Sequence, residues 1–286
     1  MKNELTQKNH ENLIGECSIK YSETQSSPKT APHIHNAYEI TLILSDDVVL
    51  EVNGASYPVP RGSILLFNTM DVHRIRYNGS ATYKRFVLWF KQDFLDEVEG
   101  LKYKLLRCFF LRNFERANLL PLNDERVDEI TGMYRRLKKI SQSDGYMKTV
   151  RLKLALADFL ITVNDLYLEY NEKILPAYQK EYVSVYKAIL YIQENYASQI
   201  NRGTLARLTG LDERRLCDYF KSVTGMTTNQ YILNFRVSAA KNLLLQGLQT
   251  SEVCELVGFD NYSNFSRTFK NHVGISPKQY YMSYKE

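Results

Sequence analysis

The sequence predicts an α+β protein of two domains. An N-terminal β-barrel leads into a helical segment, and a C-terminal all-α domain carries two helix-turn-helix units. Three observations predict this. Short apolar runs separated by turn dipeptides occupy residues 38–90. Apolar residues spaced by three and four take over after Lys91. Finally, the stretch Phe269-Lys270-Asn271-His272-Val273-Gly274-Ile275-Ser276-Pro277-Lys278-Gln279-Tyr280 has a near copy about 49 positions upstream, from Phe220-Lys221 through Gly225 and Thr227 to Gln230-Tyr231. Such self-similarity marks two copies of one supersecondary unit.

In the first part, residues 1–12 are expected to be loosely held, and residues 22–30, polar and containing Pro28, to form a loop. Residues 41–44 and Val48–Val52 flank Ser45-Asp46-Asp47, and Asn53-Gly54 is a strong hairpin signal. Pro60-Arg61-Gly62 turns into Ser63–Phe67, and Asn78-Gly79 turns again before Tyr83–Phe90. Short strands at this spacing predict a sandwich or small barrel.

The helical segment begins with one stripe of Phe94, Leu95, Val98, Leu101, Leu105 and Phe109. Asp124 opens a second helix carrying Val127, Ile130, Tyr134, Leu137 and Ile140, which Ser143-Asp144-Gly145 breaks. A third runs from Tyr146 to about Tyr170. It has one stripe through Val150, Leu154, Ala157, Leu160 or Ile161, and Leu168, and further apolar residues at Leu152, Leu156, Phe159, Val163 and Leu166. A helix apolar on two faces needs two partners. The barrel is one. The other is either the same helix of a second subunit or further packing within the chain. Pro176 disfavours helix at Leu175, which puts the boundary near 176–182 and the domains at 1–175 and 182–286.

Each C-terminal unit reads as two helices about a glycine turn. In the second, Thr250 is expected to cap a short helix bearing Val253, Leu256 and Val257, Gly258 to turn, and Asp260 to cap a helix buried through Phe265 and Phe269. Ser276-Pro277 starts a third helix. In the first, Asn201 caps, Gly210 turns, Asp212 caps, Leu216 and Phe220 pack, and Thr227 caps again. Leu205, Leu208 and Gly210 answer Val253, Leu256 and Gly258 at a spacing one shorter, so one extra residue sits between Gly258 and Phe265. A helix over 228–246 joins the units.

Composition excludes several classes. Cys17, Cys108, Cys217 and Cys254 are scattered without a Cys-x-x-Cys pair, which argues against zinc ribbons and disulfide frameworks and suits a reducing cytosol. The N-terminus lacks an apolar signal core, and no apolar run approaches the length of a membrane span. The net charge of +5 is uneven: residues 179–286 hold 13 Lys+Arg against 9 Asp+Glu, and the rest 24 against 23. A basic C-terminal part suits a phosphate-binding surface. There is no nucleophile–base pair, P-loop or Gly-rich dinucleotide motif, so no catalytic role is expected.

The run Gly258-Phe259-Asp260, Ser263, Phe265-Ser266-Arg267, Phe269-Lys270, Gly274, Ser276-Pro277 resembles the signature of the AraC/XylS family of bacterial transcription regulators. The first unit matches too, through Leu205-Ala206, Phe220-Lys221, Gly225, Tyr231, Arg236, Ala240 and Leu243-Leu244. The resemblance covers residues 182–286. It implies that the second helix of each unit enters the major groove. With Leu216 and Phe220 turned inward, Arg214, Arg215, Cys217 and Asp218 lie outward or flanking; with Phe265 and Phe269 inward, Ser263, Asn264 and Arg267 lie outward. Arg267 suits guanine O6 and N7, and Asn264 suits adenine or phosphate. Asp218 departs from the family, which often has arginine there. It would repel phosphate unless it accepts from cytosine N4 or pairs with Arg214. Lys221, Lys270, Arg202 and Lys241 are expected to supply charge and helix stabilisation.

The order His33-x-His35, Glu39, Pro60-x-Gly62, His73 resembles a cupin barrel over residues 30–92, an effector domain many family members carry. His33, His35 and Glu39 would share one strand face. With His73 they have the residue types of a cupin metal site, but regulator cupins commonly keep these positions as polar wall groups or effector contacts. Tyr38, Trp89 and Arg85 could face the same pocket or the core. The implied protein is a cytoplasmic, dimeric activator with a cupin-like barrel. It would bind an operator and a small polar effector such as a sugar, contact RNA polymerase, and need no metal or cofactor. The alternative is a cupin metalloenzyme or metal sensor with a DNA-binding tail.

Overall fold

The computed structural model describes residues 17–25, 33, 37–52, 54–95, 102–110, 116–171 and 179–282. The chain divides into two compact units, Met1–Leu175 and Pro176–Glu286.

Among the described residues, eight strands build the first unit: β1 (Cys17–Thr24), β2 (Tyr38–Ile43), β3 (Val48–Val52), β4 (Ala55–Val59), β5 (Ser63–Phe67), β6 (His73–Tyr77), β7 (Tyr83–Phe90) and β8 (Leu119–Pro121). They form a five-stranded sheet, β1-β7-β2-β5-β8, and a three-stranded sheet, β4-β3-β6. All the strand pairings are antiparallel. The period-two alternation of side chains then decides what faces what. Ile43, Leu65, Phe67 and Tyr83 of the larger sheet meet Val48, Leu50, Val52, Tyr57 and Ile75 of the smaller in one apolar core. The opposite face of β2 and β7 turns to the helices: Phe86 stacks on Tyr134, whose hydroxyl donates to the Ile40 carbonyl at 2.7 Å.

Three expectations change here. Residues 22–24 belong to β1, where Cys17, Ile19 and Tyr21 alternate with Ser18, Lys20 and Ser22; an edge strand this polar reads as loop by composition. Of the stripe after Lys91, Val98 and Leu101 lie outside the described residues. Its described residues form 3₁₀ turns at Gln92–Leu95 and Arg107–Phe109 and a single α-turn at Lys102–Leu105, not one continuous helix. Beyond it, β8 adds a short edge to β5, too short to carry a pattern.

Helix α1 (Asp124–Ser141) opens at Asp124 as expected, capped by Asn123, whose side chain accepts from Arg126 N. Helix α2 (Lys148–Tyr170) buries Leu152, Leu156, Phe159, Leu160, Val163 and Leu166. Its Asn164 ties down the irregular stretch, accepting from Cys108 N (2.9 Å) and donating to the Leu105 carbonyl (2.7 Å).

The second unit is all helical: α3 (Gln179–Asn195), α4 (Arg202–Thr209), α5 (Glu213–Thr224), α6 (Thr228–Leu245), α7 (Thr250–Leu256), α8 (Tyr262–Val273) and α9 (Pro277–Met282). Gly210, Gly225, Gly258 and Gly274 all have left-handed backbones at turns or helix ends. Thr227 with Gln230, and Ser276 with Gln279, form matched reciprocal caps at the starts of α6 and α9. Two caps differ from expectation. Gln249, without a side-chain bond, precedes α7, and Asn261, not Asp260, caps α8. The second shift follows from the extra residue, which moves the cap one place further from the glycine than Asp212 stands from Gly210.

Candidate nucleic-acid interface and effector site

The two second helices, α5 and α8, are strongly amphipathic. Leu216, Phe220 and Val223 bury one side of α5, and Phe265 and Phe269 one side of α8. Phe269 packs edge to face with both Phe265 and Tyr280, in one core with α6 residues Val237, Ala240 and Leu244. Arg236 of α6 anchors the joint by donating to the carbonyls of Tyr196 (2.7 Å) and Ser198 (2.8 Å).

That packing leaves Arg214, Arg215 and Asp218 exposed on α5, and Ser263 and Arg267 exposed on α8 with Asn264 half-buried. Arg215 leans back on the cap, its Nε 3.5 Å from Asp212. Arg267 donates to Asn264 Oδ1 at 3.4 Å, which holds the two readout candidates together. Arg214 and Asp218 share a face, yet form no ion pair among the described residues. Lys241 lies half-buried, its ammonium 5.8 Å from the Tyr280 ring centre. The first helices of the units carry opposite charge, Arg202 and Arg207 on α4 against Glu252 and Glu255 on α7.

In the barrel, Glu39 is 5% exposed and both of its oxygens are engaged. Thr41 Oγ1 donates to Oε1 and Trp89 Nε1 to Oε2, each at 2.7 Å. His73 Nε2 stands 3.8 Å from Oε2, while its Nδ1 lies 3.0 Å from the Asp71 carbonyl. That carbonyl only accepts, so Nδ1 carries the proton and Nε2 is the nitrogen turned to the carboxylate. His73 stacks on Phe67, and His33 pairs with it by two backbone hydrogen bonds, the rings 4.6 Å apart. His33, Glu39 and His73 therefore do come together. His35 lies outside the described residues. Among the described residues, no group of three or more His, Cys, Asp or Glu side chains is placed to hold a metal.

Tyr38 does not join them. It neighbours Glu39 in sequence and so points through the opposite face of β2, fully buried against Phe90, Phe109 and Phe110. Trp89 and Arg85 do share the inner face, since Trp89 pairs across from Glu39 and Arg85 from Ile43. Arg85 donates to the Tyr83 hydroxyl (3.1 Å), and its buried Nε finds no partner among the described residues. Burial pushes the Tyr83 hydroxyl above the ordinary phenol range, opposed by the Arg85 charge and hydrogen bond. Thr41 escaped the sequence reading, although its place two residues from Glu39 on one strand puts it on the same face.

Barrel and paired helix-turn-helix units together define a DNA-binding protein with a separate ligand-binding domain. Two family models match it: an AraC-like ligand binding domain over residues 18–146 and a helix-turn-helix domain over 205–282. The chain belongs to the AraC family of transcription regulators. A transcriptional regulator encoded in the cgkA 5′ region of Pseudoalteromonas carrageenovora is 38% identical over 96 residues, 34% of this chain and 57% of that protein, so the match spans little more than half of the relative. The transcriptional activator RhaR of Salmonella dublin is 23% identical over 254 residues, 87% of this chain and 86% of that one. Unsaturated fatty acid-bound ToxT from Vibrio cholerae shares the fold, with a TM-score of 0.53 at 15% identity over 93% of this chain and 94% of that chain. Among the described residues, no helix is long and apolar enough to cross a membrane.

Proposed function

We propose that this protein is a sequence-specific transcription regulator acting in the cytoplasm, an activator that recruits RNA polymerase when a small effector occupies the barrel. The observation that carries the reading is the duplicated unit, in which matched caps and glycine turns present the outward faces of α5 and α8. Arg214, Asp218, Ser263, Asn264 and Arg267 are the base-reading candidates, with Arg215 flanking. Capturing genomic fragments on the purified protein and sequencing them should yield one recurrent operator. On it, Arg267→Ala should cost about 1–3 kcal/mol and relax preference at one base pair. Unchanged affinity and preference would remove Arg267 from readout.

The effector end rests on His33, Glu39 and His73, with His35 as a further contact and Thr41 and Trp89 supporting the carboxylate. A carboxylate oxygen can accept more than one hydrogen bond, so the hydroxyls of a small polar ligand such as a sugar would add to those from Thr41 and Trp89. Both Glu39 oxygens already accept hydrogen bonds, which favours a polar wall over a metal ligand. Glu39→Ala should abolish the effector response in a reporter assay while operator binding persists. Because ToxT is bound to an unsaturated fatty acid, the assay should run sugars against fatty acids. A response to the acids alone would sink the sugar reading.

A further inference from the structure

The two helices after the barrel form an antiparallel hairpin: Tyr134 packs edge to face on Phe159, and Arg136 reaches Asp158 at 3.6 Å. The last turns of α1 therefore lie beside the first turns of α2, at the end where residues 142–147 connect them. Charge is sorted along this hairpin. From Arg135 to Lys153 the sequence holds seven Lys+Arg against one Asp, a net +6, when the entire chain carries +5. Arg135, Arg136, Lys138 and Lys139 stand on α1, and Lys148, Arg151 and Lys153 on α2. The opposite end is acidic: residues 124–129 hold four Asp+Glu and one Arg, and residues 154–170 three Asp+Glu and no Lys or Arg.

The fold accounts for only half of the basic end. A helix ends electronegative, so Lys138 and Lys139 in the last turn of α1 stabilise it. A helix starts electropositive, yet α2 has no acidic residue in its first turn and opens with Lys148. Lys148 and Arg151 therefore add like charge to that start and to the lysines of α1 beside it, a self-repulsion that works against the compact state. Arg136 is engaged by Asp158, and Lys153 lies 5.3 Å from the Phe94 ring centre. Lys139, Lys148 and Arg151 form no ion pair among the described residues; Lys139 and Arg151 are exposed and Lys148 is half-buried. Tyr146, in the connection, is fully exposed.

We propose that this basic end is a second DNA contact, one that grips the phosphate backbone outside the base pairs read by α5 and α8. A cluster of one sign fits a polyanion of evenly repeated charge, and duplex DNA carries one charge about every 1.7 Å along its axis. Cations on two adjacent helices can meet successive phosphates, and the Tyr146 hydroxyl is a further donor of the kind that backbone contacts use. The acidic end of the same hairpin is repelled by DNA, so only the basic end can turn to it. The C-terminal unit holds the duplex at high local concentration, which makes DNA the polyanion this end meets first. The contact adds affinity without reading sequence, and its failure would leave the operator reading of α5 and α8 standing.

The test uses the full-length protein, with affinity for operator and non-operator DNA measured across a salt series. Lys139→Gln, Lys148→Gln and Arg151→Gln combined should weaken both about tenfold to a hundredfold at low salt. The slope of log affinity against log salt should fall by about two to three, and Arg151→Gln alone should lower it by about one. Base preference should stay as it is. The charge-keeping exchange of Lys139→Arg, Lys148→Arg and Arg151→Lys should bind as the wild type does, which separates charge from packing. Hydroxyl-radical footprints should show a patch of backbone protection that the Gln variant loses while protection over the read bases remains. An unchanged slope or identical footprints would overturn the contact. So would capture of the wild type by phosphatidylserine vesicles that the Gln variant loses with its DNA slope intact, which would give the basic end to a membrane surface.

Discussion

Lys241 is a lysine whose ammonium the fold does not favour. It sits half-buried on α6 above the Tyr280 ring, and burial lowers its pKa. With the folded pKa below the unfolded one, the unfolded chain binds the proton more tightly in the window between them, so stability rises as pH climbs through it. Lys241→Met keeps the aliphatic packing and removes the proton. Chemical denaturation should find this variant at least as stable as wild type near neutral pH, and without the alkaline rise. Loss of stability would show that the contact with Tyr280 outweighs the desolvation. The Tyr38 and Glu39 pair makes a related point at the same scale. Both are strand residues with plausible pocket chemistry, yet only one faces inward, because adjacent residues in a strand point to opposite faces.

Among the connecting elements, the glycine turns are not equivalent. Gly274 ends α8 with φ +88° and open space around its Cα, so Gly274→Ala costs only the left-handed backbone, about 1–2 kcal/mol. Gly258 ends the α7 turn with φ +81°, and a methyl group there would collide with the backbone of Ala197. Gly258→Ala adds that collision to the same backbone penalty and should destabilise the second helix-turn-helix unit more than Gly274→Ala does. Thermal unfolding of the two variants side by side checks this, and equal shifts would mean the Ala197 segment yields freely. The need for glycine at both turns was legible from the repeat. The neighbour that makes one of them unsubstitutable was not, because Ala197 is 61 residues away.

For the whole molecule, the excess of basic residues in 179–286 predicts DNA binding that weakens with salt. Lys270 is exposed in the last turn of α8. Lys270→Ala should weaken operator and non-operator DNA alike and reduce the slope of log affinity against log salt by about one; an unchanged slope would place Lys270 away from the backbone. The sequence by itself determined the all-α part with its two helix-turn-helix units, the apolar faces of α5 and α8, and the barrel's central strands. Those features rest on local periodicity, capping chemistry and internal repetition, all readable within a few residues. Only the tertiary structure decided that β1 and β8 are strands, that the stripe after Lys91 is broken, and that Trp89 and Thr41 complete the Glu39 site. Each of those depends on a partner distant in sequence. Pairing energy and burial belong to the contact, and a chain read one window at a time does not contain it.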